Sequence, residues 1–199
     1  MATKKLNEAE LVKYLYNAGA IRIAESPDDE MKIDVALPQI IGPNPPIRKD
    51  IAHMFENALK KIFPDEMRYA KYRFGCVGTG AIMPIMGLLS CPIATIDSYS
   101  RVREKMDTKQ PFALVDDVLR TGNTLSHELT LLLSQGYRVN TIIVFFDEEI
   151  GGQNRIHEEY KRLSRMYFGH EEKIKIVVLM PRERILEHLV EAKIISRKV

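Results

Sequence analysis

The chain has 199 residues, a length that suits one domain, or one domain with a small appendage. Hydrophobic residues make up 45% and charged residues 28%, so the chain can bury a core and is not of the disordered class. Lys and Arg total 29 against 27 Asp and Glu, a formal net charge of +2, which argues against binding to nucleic acid or to a membrane surface by charge.

The first twenty residues carry charges where a secretory signal needs its apolar run, and no apolar run approaches the length of a membrane span. The two cysteines, Cys76 and Cys91, lie in apolar runs without the spacing of a metal site or a disulfide framework. We therefore expect a cytoplasmic protein that binds neither nucleic acid nor a membrane, with both cysteines acting as small hydrophobic residues.

Residues 1–45 are predicted to form a small N-terminal helix and hood, and residues 46–199 the core. Asn7 followed by Glu10 is a capping-box pattern that starts a helix. Two short strands, a proline-rich irregular connection and a helix with one apolar face are expected next. These elements are predicted at 21–24, 31–37, 38–46 and about 47–63.

From residue 71 onward, short apolar runs alternate with helical segments. Strands without polar alternation, most of them followed by a helix, are typical of a parallel sheet that is covered on both faces. The predicted fold class is therefore α/β, with a doubly wound, mostly parallel sheet flanked by helices. The strands are predicted at 71–77, 92–97, 112–116, 139–146 and 174–180, and the helices at 82–89, 124–135, 154–166 and 183–192.

Sheets of this kind bind ligands where the carboxyl ends of strands meet the amino ends of helices. At one such place, a buried strand is expected to end in Asp116 and Asp117, and a Thr-Gly-Asn-Thr turn leads into a helix. Backbone N–H groups, hydroxyls and the helix dipole are the elements of a phosphate cradle, and Gly122 lets the backbone approach an anion. Two carboxylates would repel a phosphate, so the pattern predicts a ligand with hydroxyls at one end and phosphate at the other, such as a ribose 5-phosphate. The alternative is a strand whose last Asp caps the next helix.

The segment VDDVLRTGNT resembles the phosphoribosyl-pyrophosphate (PRPP) signature of the type I phosphoribosyltransferases. The resemblance implies that Asp116 and Asp117 are the catalytic acids, which bind the ribose hydroxyls, and that the next seven residues bind PRPP through its 5-phosphate. These seven are Val118, Leu119, Arg120, Thr121, Gly122, Asn123 and Thr124. Arg120 stands where several members of the family have Thr or Ala.

A second turn, Gly78-Thr79-Gly80, follows an earlier predicted strand, and the resemblance assigns it to the pyrophosphate. Gly78, Gly80 and Asp97 also fit a weak dinucleotide fingerprint, although Met83 stands where the third glycine is needed. A tight connection between a strand and a helix is the third interpretation of this turn.

The stretch 144–152 is similar to a strand end of the orotate phosphoribosyltransferases, and it makes Asp147 and Glu148 candidates for the base side of the site. Glu148 departs from that subfamily, which has an Arg facing orotate at this position, and a carboxylate there would repel an anionic base. The acidic run at 24–30 replaces a Lys-Ser-Gly stretch. The loop at 98–110 is short, and its cations either meet the pyrophosphate or belong to a solvated loop. These cations are Arg101, Arg103 and Lys105.

The resemblance as a whole implies a phosphoribosyltransferase, and hence a pentosyl-transferring glycosyltransferase. It would move the phosphoribosyl group from PRPP to a nitrogenous base, in the first place orotate in pyrimidine nucleotide biosynthesis, and release pyrophosphate. It also implies a homodimer and Mg²⁺ held mainly by the substrate, without a metal site of the protein's own. The alternatives are a transferase for another base, a non-catalytic protein that binds PRPP or a nucleoside monophosphate, and a dinucleotide-dependent enzyme.

Overall fold

The architecture comes from a computed structural model. It describes residues 6–25, 31–35, 45–62, 73–77, 85, 88, 93–96, 108 and 111–196. Within those ranges, no helix combines the length and the apolar character that a membrane crossing requires.

The N-terminal elements are a helix and a two-stranded hairpin. Helix α1 (Glu8–Asn17) begins with the predicted capping box: Asn7 Oδ1 accepts the Glu10 N–H at 2.8 Å, and Glu10 Oε2 accepts the Asn7 N–H at 3.0 Å. Strands β1 (Ile21–Glu25) and β2 (Met31–Val35) then pair antiparallel, apart from the main sheet. The prediction of a helix followed by two short strands is confirmed.

Helix α2 (Pro45–Ile62) begins earlier than its sequence pattern suggested. The prediction of an irregular connection at 38–46 is wrong for Pro45 and Pro46, which form the first helical positions. Proline suits this place because the first helical N–H groups have no intrahelical acceptor and its fixed φ is already helical. Ile51 and Phe55 of the predicted apolar face are buried, and Ile47 and Ala52 are buried as well.

The main sheet has five parallel strands in the order β4-β3-β5-β6-β7, so the predicted parallel α/β sheet is confirmed. The strands are β3 (Arg73–Val77), β4 (Ile93–Ile96), β5 (Pro111–Leu119), β6 (Arg138–Asp147) and β7 (Lys175–Met180). The last three strands are each followed by a helix: α3 (Asn123–Ser134), α4 (Gly152–Phe168) and α5 (Arg182–Glu191). The central position of β5 brings the carboxyl ends of β3 and β6 to either side of its own.

Alternation along β5 divides the buried core into two clusters, one on each face of the sheet. Ala113 and Val115 join the cluster that includes α1, α2 and α5, whereas Leu114 joins the cluster with α3 and α4. Helices therefore cover both faces, as predicted for a doubly wound sheet. Ile33 and Val35 of the hairpin belong to the first cluster, so the N-terminal elements pack on the same core as the sheet. The division at residue 45 stays a prediction.

Candidate functional site

The two adjacent acids lie inside strand β5 and not at its end. Asp116 pairs with Val144, and the pairing with β6 continues as far as Leu119 opposite Asp147. The prediction that the strand ends at Asp116 is therefore wrong. Its physical reason is the length of β6, which continues to offer hydrogen-bond partners to the β5 backbone beyond the acids.

Both acids turn one oxygen onto the backbone that follows them. The Asp117 N–H donates to Asp116 Oδ1 at 2.9 Å, and the Val118 N–H donates to Asp117 Oδ1 at 2.8 Å. A carboxylate has two oxygens and about four acceptor positions, so these bonds orient the two groups without saturating them. The acids retain the capacity to accept hydrogen bonds from the hydroxyls of a ligand.

Burial gives Asp116 an unusual protonation equilibrium. Loss of solvent around the carboxyl, together with the negative charge of Asp117, raises the pKa of Asp116 to about 7, and the buried Glu128 of α3 adds to the rise. Asp116 is therefore easier to protonate than an exposed carboxyl. The pair can both donate and accept a hydrogen bond, which suits a sugar diol.

A short turn joins β5 to α3 and leaves a small cavity against the helix start. Gly122 is the N-cap of α3 and provides no side-chain cap, and the first turn of α3 contains no acidic residue. The cavity has a volume of about 140 Å³ and is lined by Asp116 and residues 118–125. Pockets that enclose a whole small molecule usually have about 300–1,000 Å³, so this cavity fits one group of a ligand. A phosphate is the group that a helix N-terminus favours.

Two glycines allow this turn to sit directly on the beginning of α4. Gly122 has φ +73°, and a Cβ there would lie 2.9 Å from the Gly152 carbonyl oxygen. A Cβ on Gly152 would lie 2.2 Å from the Arg120 carbonyl oxygen. The sequence pattern explained Gly122 by its approach to an anion, but packing and the left-handed backbone already require a glycine. The contact fixes the position of the cradle.

Arg120 extends from the same turn and meets two carboxylates on other segments. Its Nη2 lies 2.7 Å from Asp34 Oδ1 on strand β2, and its Nε lies 2.9 Å from Glu148 Oε1 at the end of β6. The Arg120–Asp34 contact is a hydrogen bond, whereas the Nε–Oε1 contact is an ion pair without hydrogen-bond alignment. The guanidinium therefore connects strand β2 of the hairpin with the loop that follows β6.

The loop after β6 is shaped by Asp147 and directs Glu148 towards Arg120. Asp147 is buried, and its Oδ1 accepts the Glu149 N–H at 2.9 Å while its Oδ2 accepts the Gln153 amide at 2.6 Å. Both oxygens of Asp147 thus serve the protein itself. Burial raises the pKa of Glu148, although the adjacent Arg120 charge acts in the opposite direction.

The structure thus brings Asp116, Asp117, Arg120, the Thr-Gly-Asn-Thr turn and the 147–148 loop to one edge of the sheet. The predicted pyrophosphate turn at 78–80, the cations at 101–105 and Asp97 lie outside the described residues. Among the residues with described positions, no group of three or more His, Cys, Asp or Glu has an arrangement that could hold a metal ion.

Two contributors to this site were not found from the sequence. Asp34 lies 86 positions before Arg120, and its pattern shows only that it faces away from the buried Ile33 and Val35. The resemblance includes Gly152 in the stretch 144–152 but does not explain why a glycine is needed there. The presence of two successive glycines directly after the β6 loop was the signal that could have indicated close packing.

No protein-family model matches the chain. A curated relative, the orotate phosphoribosyltransferase of Sulfurisphaera tokodaii, is 28% identical over 130 residues, a match that spans 60% of this chain and 60% of the relative. The crystal structure of orotate phosphoribosyltransferase from Aeropyrum pernix has a TM-score of 0.58 at 22% identity, covering 90% of this chain and 99% of that one. The UMP synthase of Leishmania donovani has a TM-score of 0.68 at 17% identity, covering 97% of this chain and 40% of that one.

These likenesses confirm the predicted fold: the chain has the α/β architecture of the orotate phosphoribosyltransferases and resembles them in sequence. The chain spans less than two thirds of the curated relative and of the UMP synthase.

Proposed function

We propose that this chain is a PRPP-dependent phosphoribosyltransferase that transfers the phosphoribosyl group to a nitrogenous base and releases pyrophosphate. Orotate is the first base to consider, because the curated relative is named for it. Mg²⁺ and a homodimeric assembly remain predictions from the resemblance, and a cytoplasmic location remains a prediction from the sequence composition.

One observation carries the proposal. A pair of acids that can bind a diol and a cavity the size of a phosphate occupy the same strand-turn-helix segment, and Asp116 lines that cavity. A ribose 5-phosphate carries its hydroxyls and its phosphate in a matching order. Since β5 is the central strand of the five, the leaving group and the base can approach from the neighbouring strand ends, β3 on one side and β6 on the other.

The proposed reaction needs no nucleophilic side chain. A ring nitrogen of the base attacks the anomeric carbon and loses its N–H proton to solvent, and the bond from that carbon to the pyrophosphate oxygen breaks. The pyrophosphate leaves with the bonding electron pair. As the bond breaks, positive charge develops on the sugar ring, so the protein acts by positioning the reactants and stabilising charge. Asp116 and Asp117 would hold the ring through its hydroxyls, and the amides of 121–124 would hold the 5-phosphate.

Mg²⁺ would neutralise the pyrophosphate and, like many Mg²⁺ ions at phosphates, would be bound mainly by substrate oxygens and water. Carboxylate oxygens are the ligand type that this ion accepts, and Asp116 and Asp117 supply them at the ribose end. Of the remaining candidates, Gly78, Thr79 and Gly80 would face the pyrophosphate, and Arg101, Arg103 and Lys105 would offset its charge.

The test is to incubate the protein with PRPP and Mg²⁺ together with orotate, uracil, hypoxanthine, guanine or adenine, and to separate the nucleotides by chromatography. We expect one base to give its nucleoside 5′-monophosphate with an equal amount of pyrophosphate. The double variant Asp116→Asn with Asp117→Asn should give no product. If calorimetry shows that PRPP binds while no base gives a nucleotide, the chain is a binding protein and the catalytic proposal is wrong.

A further inference from the structure

The hairpin β1–β2 meets the candidate site at Arg120, which belongs to the turn between β5 and α3 (residues 120–124, the cradle turn). The hairpin forms its own two-stranded sheet and shares no strand pairing with the main sheet. Its Ile33 and Val35 pack on the core, and Asp34, between them, faces the other way and reaches Arg120. Arg120 belongs to the lining of the phosphate-sized cavity. One residue therefore contacts both the N-terminal hairpin and the ligand position.

The backbone at Arg120 is held by contacts with the loop after β6 and with α4. The Leu119 carbonyl before it accepts the Glu148 N–H at 2.9 Å, and the Arg120 carbonyl lies against Gly152. On the side chain, Glu148 Oε1 lies 2.9 Å from Nε as an ion pair and is only 13% exposed, so a carboxylate flanks the inner edge of the guanidinium. The outer edge, Nη2, then points at Asp34. An arginine can serve two carboxylates at once because its donors form a rigid planar fork, whereas a lysine offers a point charge.

We propose that Arg120 is a positioning residue that couples the β1–β2 hairpin to the phosphate cradle. A phosphate bound on residues 121–124 restricts the turn from which Arg120 extends, and it thereby steadies the contact with Asp34. By thermodynamic linkage the effect is reciprocal: a ligand that stabilises the hairpin must bind more tightly when the hairpin is held in place. The hairpin thus becomes part of the binding site without contacting the phosphate. This inference rests on the proposed function only for the identity of the ligand.

The size of the coupling follows from exposure. Arg120 and Asp34 are 53% and 50% exposed, and ion pairs of this kind contribute about 0.2–1 kcal/mol, which corresponds to at most a fivefold change in an equilibrium constant. We expect the upper part of that range, a two- to fivefold effect (about 0.4–1 kcal/mol), on hairpin protection and on ligand affinity. Salt should weaken the effect, because both groups are open to screening.

The experiment combines amide hydrogen exchange with calorimetry, using ribose 5-phosphate and inorganic phosphate as ligands. In the unmodified chain, saturating ribose 5-phosphate should slow exchange of the amides in 21–25 and 31–35 by about two- to fivefold. Asp34→Asn should abolish this slowing and weaken ribose 5-phosphate binding by a similar factor. Asp34→Glu keeps the carboxylate and should retain both the slowing of exchange and the affinity of the unmodified chain. Arg120→Lys loses the planar fork and should retain each only in part.

A matched control removes a similar ion pair elsewhere. Glu8 pairs with Arg184 at 3.1 Å and links α1 to α5, with exposures of 31% and 53%. Glu8→Gln should speed exchange in α1 and leave ribose 5-phosphate affinity unchanged. The coupling is refuted if ribose 5-phosphate binds but leaves hairpin exchange unchanged or faster, or if Asp34→Asn binds as tightly as the unmodified chain. Coupled binding without turnover would leave Arg120 in its role and contradict only the catalytic proposal.

Discussion

The contact between Gly152 and the cradle turn can be tested with one added methyl group, because that group would clash with backbone atoms of the turn. Gly152→Ala would place its Cβ 2.2 Å from the Arg120 carbonyl oxygen and 2.8 Å from Leu119 Cδ1. The leucine methyl can rotate away, but the carbonyl must move by about 1.2 Å to reach ordinary contact near 3.4 Å. Overpacking of this kind costs about 1–3 kcal/mol, and the helix propensity of alanine returns well below ~1 kcal/mol because Gly152 is the first residue of α4.

We therefore expect Gly152→Ala to lose about 1–2 kcal/mol of unfolding free energy in urea, and its melting temperature to fall by about 2–4 °C for each kcal/mol. The same displacement moves the cradle, so affinity for ribose 5-phosphate should fall at least tenfold, since a 1 Å misplacement in a site can cost about 100-fold. Asn154→Ala, exposed on the same helix, is the control and should change neither quantity. If Gly152→Ala binds and unfolds like the unmodified chain, the turn is not held by α4 and the reasoning fails.

Three further predictions concern charge and capping. Because the pKa of Asp116 is raised from 3.8 to about 7, the folded chain keeps a proton there that the unfolded chain has released, so the free energy of unfolding should fall as pH rises between about 4 and 7. Asp116→Asn should flatten that decline, which is at most about 1.4 kcal/mol per pH unit, in urea titrations at several pH values. The double variant Asp116→Asn with Asp117→Asn should abolish PRPP binding in calorimetry. Its free energy of unfolding at pH 8 should stay equal or rise, because two neighbouring negative charges are removed. A large loss of stability would mean that the acids stabilise the fold. Asn7→Ala breaks the capping box with Glu10 and should lose about 0.5–2 kcal/mol of stability without altering ribose 5-phosphate affinity. A change in that affinity would contradict the separation of the start of α1 from the candidate site.

The elements that local rules determine were predictable. Asn7 and Glu10 stand at the spacing of a capping box, and that spacing depends only on neighbouring residues. The apolar runs around Leu114 and Ile142 indicated buried strands because they lack polar alternation, and both strands are present. The order of the strands in the sheet was not predictable, since it depends on which runs pair across long stretches of chain.

The errors arose where a neighbouring element overrides a local pattern. The pair Asp116-Asp117 predicts the end of a strand, because charged residues are rarely buried. Strand β5 nevertheless continues to pair with β6 as far as Leu119 opposite Asp147. Pro45 and Pro46 look like breakers, yet the first turn of a helix accepts them.

The candidate site was predictable in its centre and not at its rim. Asp116, Asp117 and the glycine-containing turn are contiguous in sequence, so one segment contains the whole cradle. The contact of Arg120 with Asp34 joins residues 86 positions apart, and neither residue carries a pattern that identifies its partner. Long-range charge pairs of this kind depend on how the hairpin packs, which only the three-dimensional structure establishes.

The most direct test of the account is a crystal structure of the chain soaked with ribose 5-phosphate. We expect the phosphate within hydrogen-bond distance of the amides of residues 121–124, with the sugar hydroxyls on the carboxylates of Asp116 and Asp117. A ligand bound elsewhere at full occupancy, with the 121–124 amides facing water and both acids hydrogen-bonded only to protein, would contradict the assignment of this turn as the binding site.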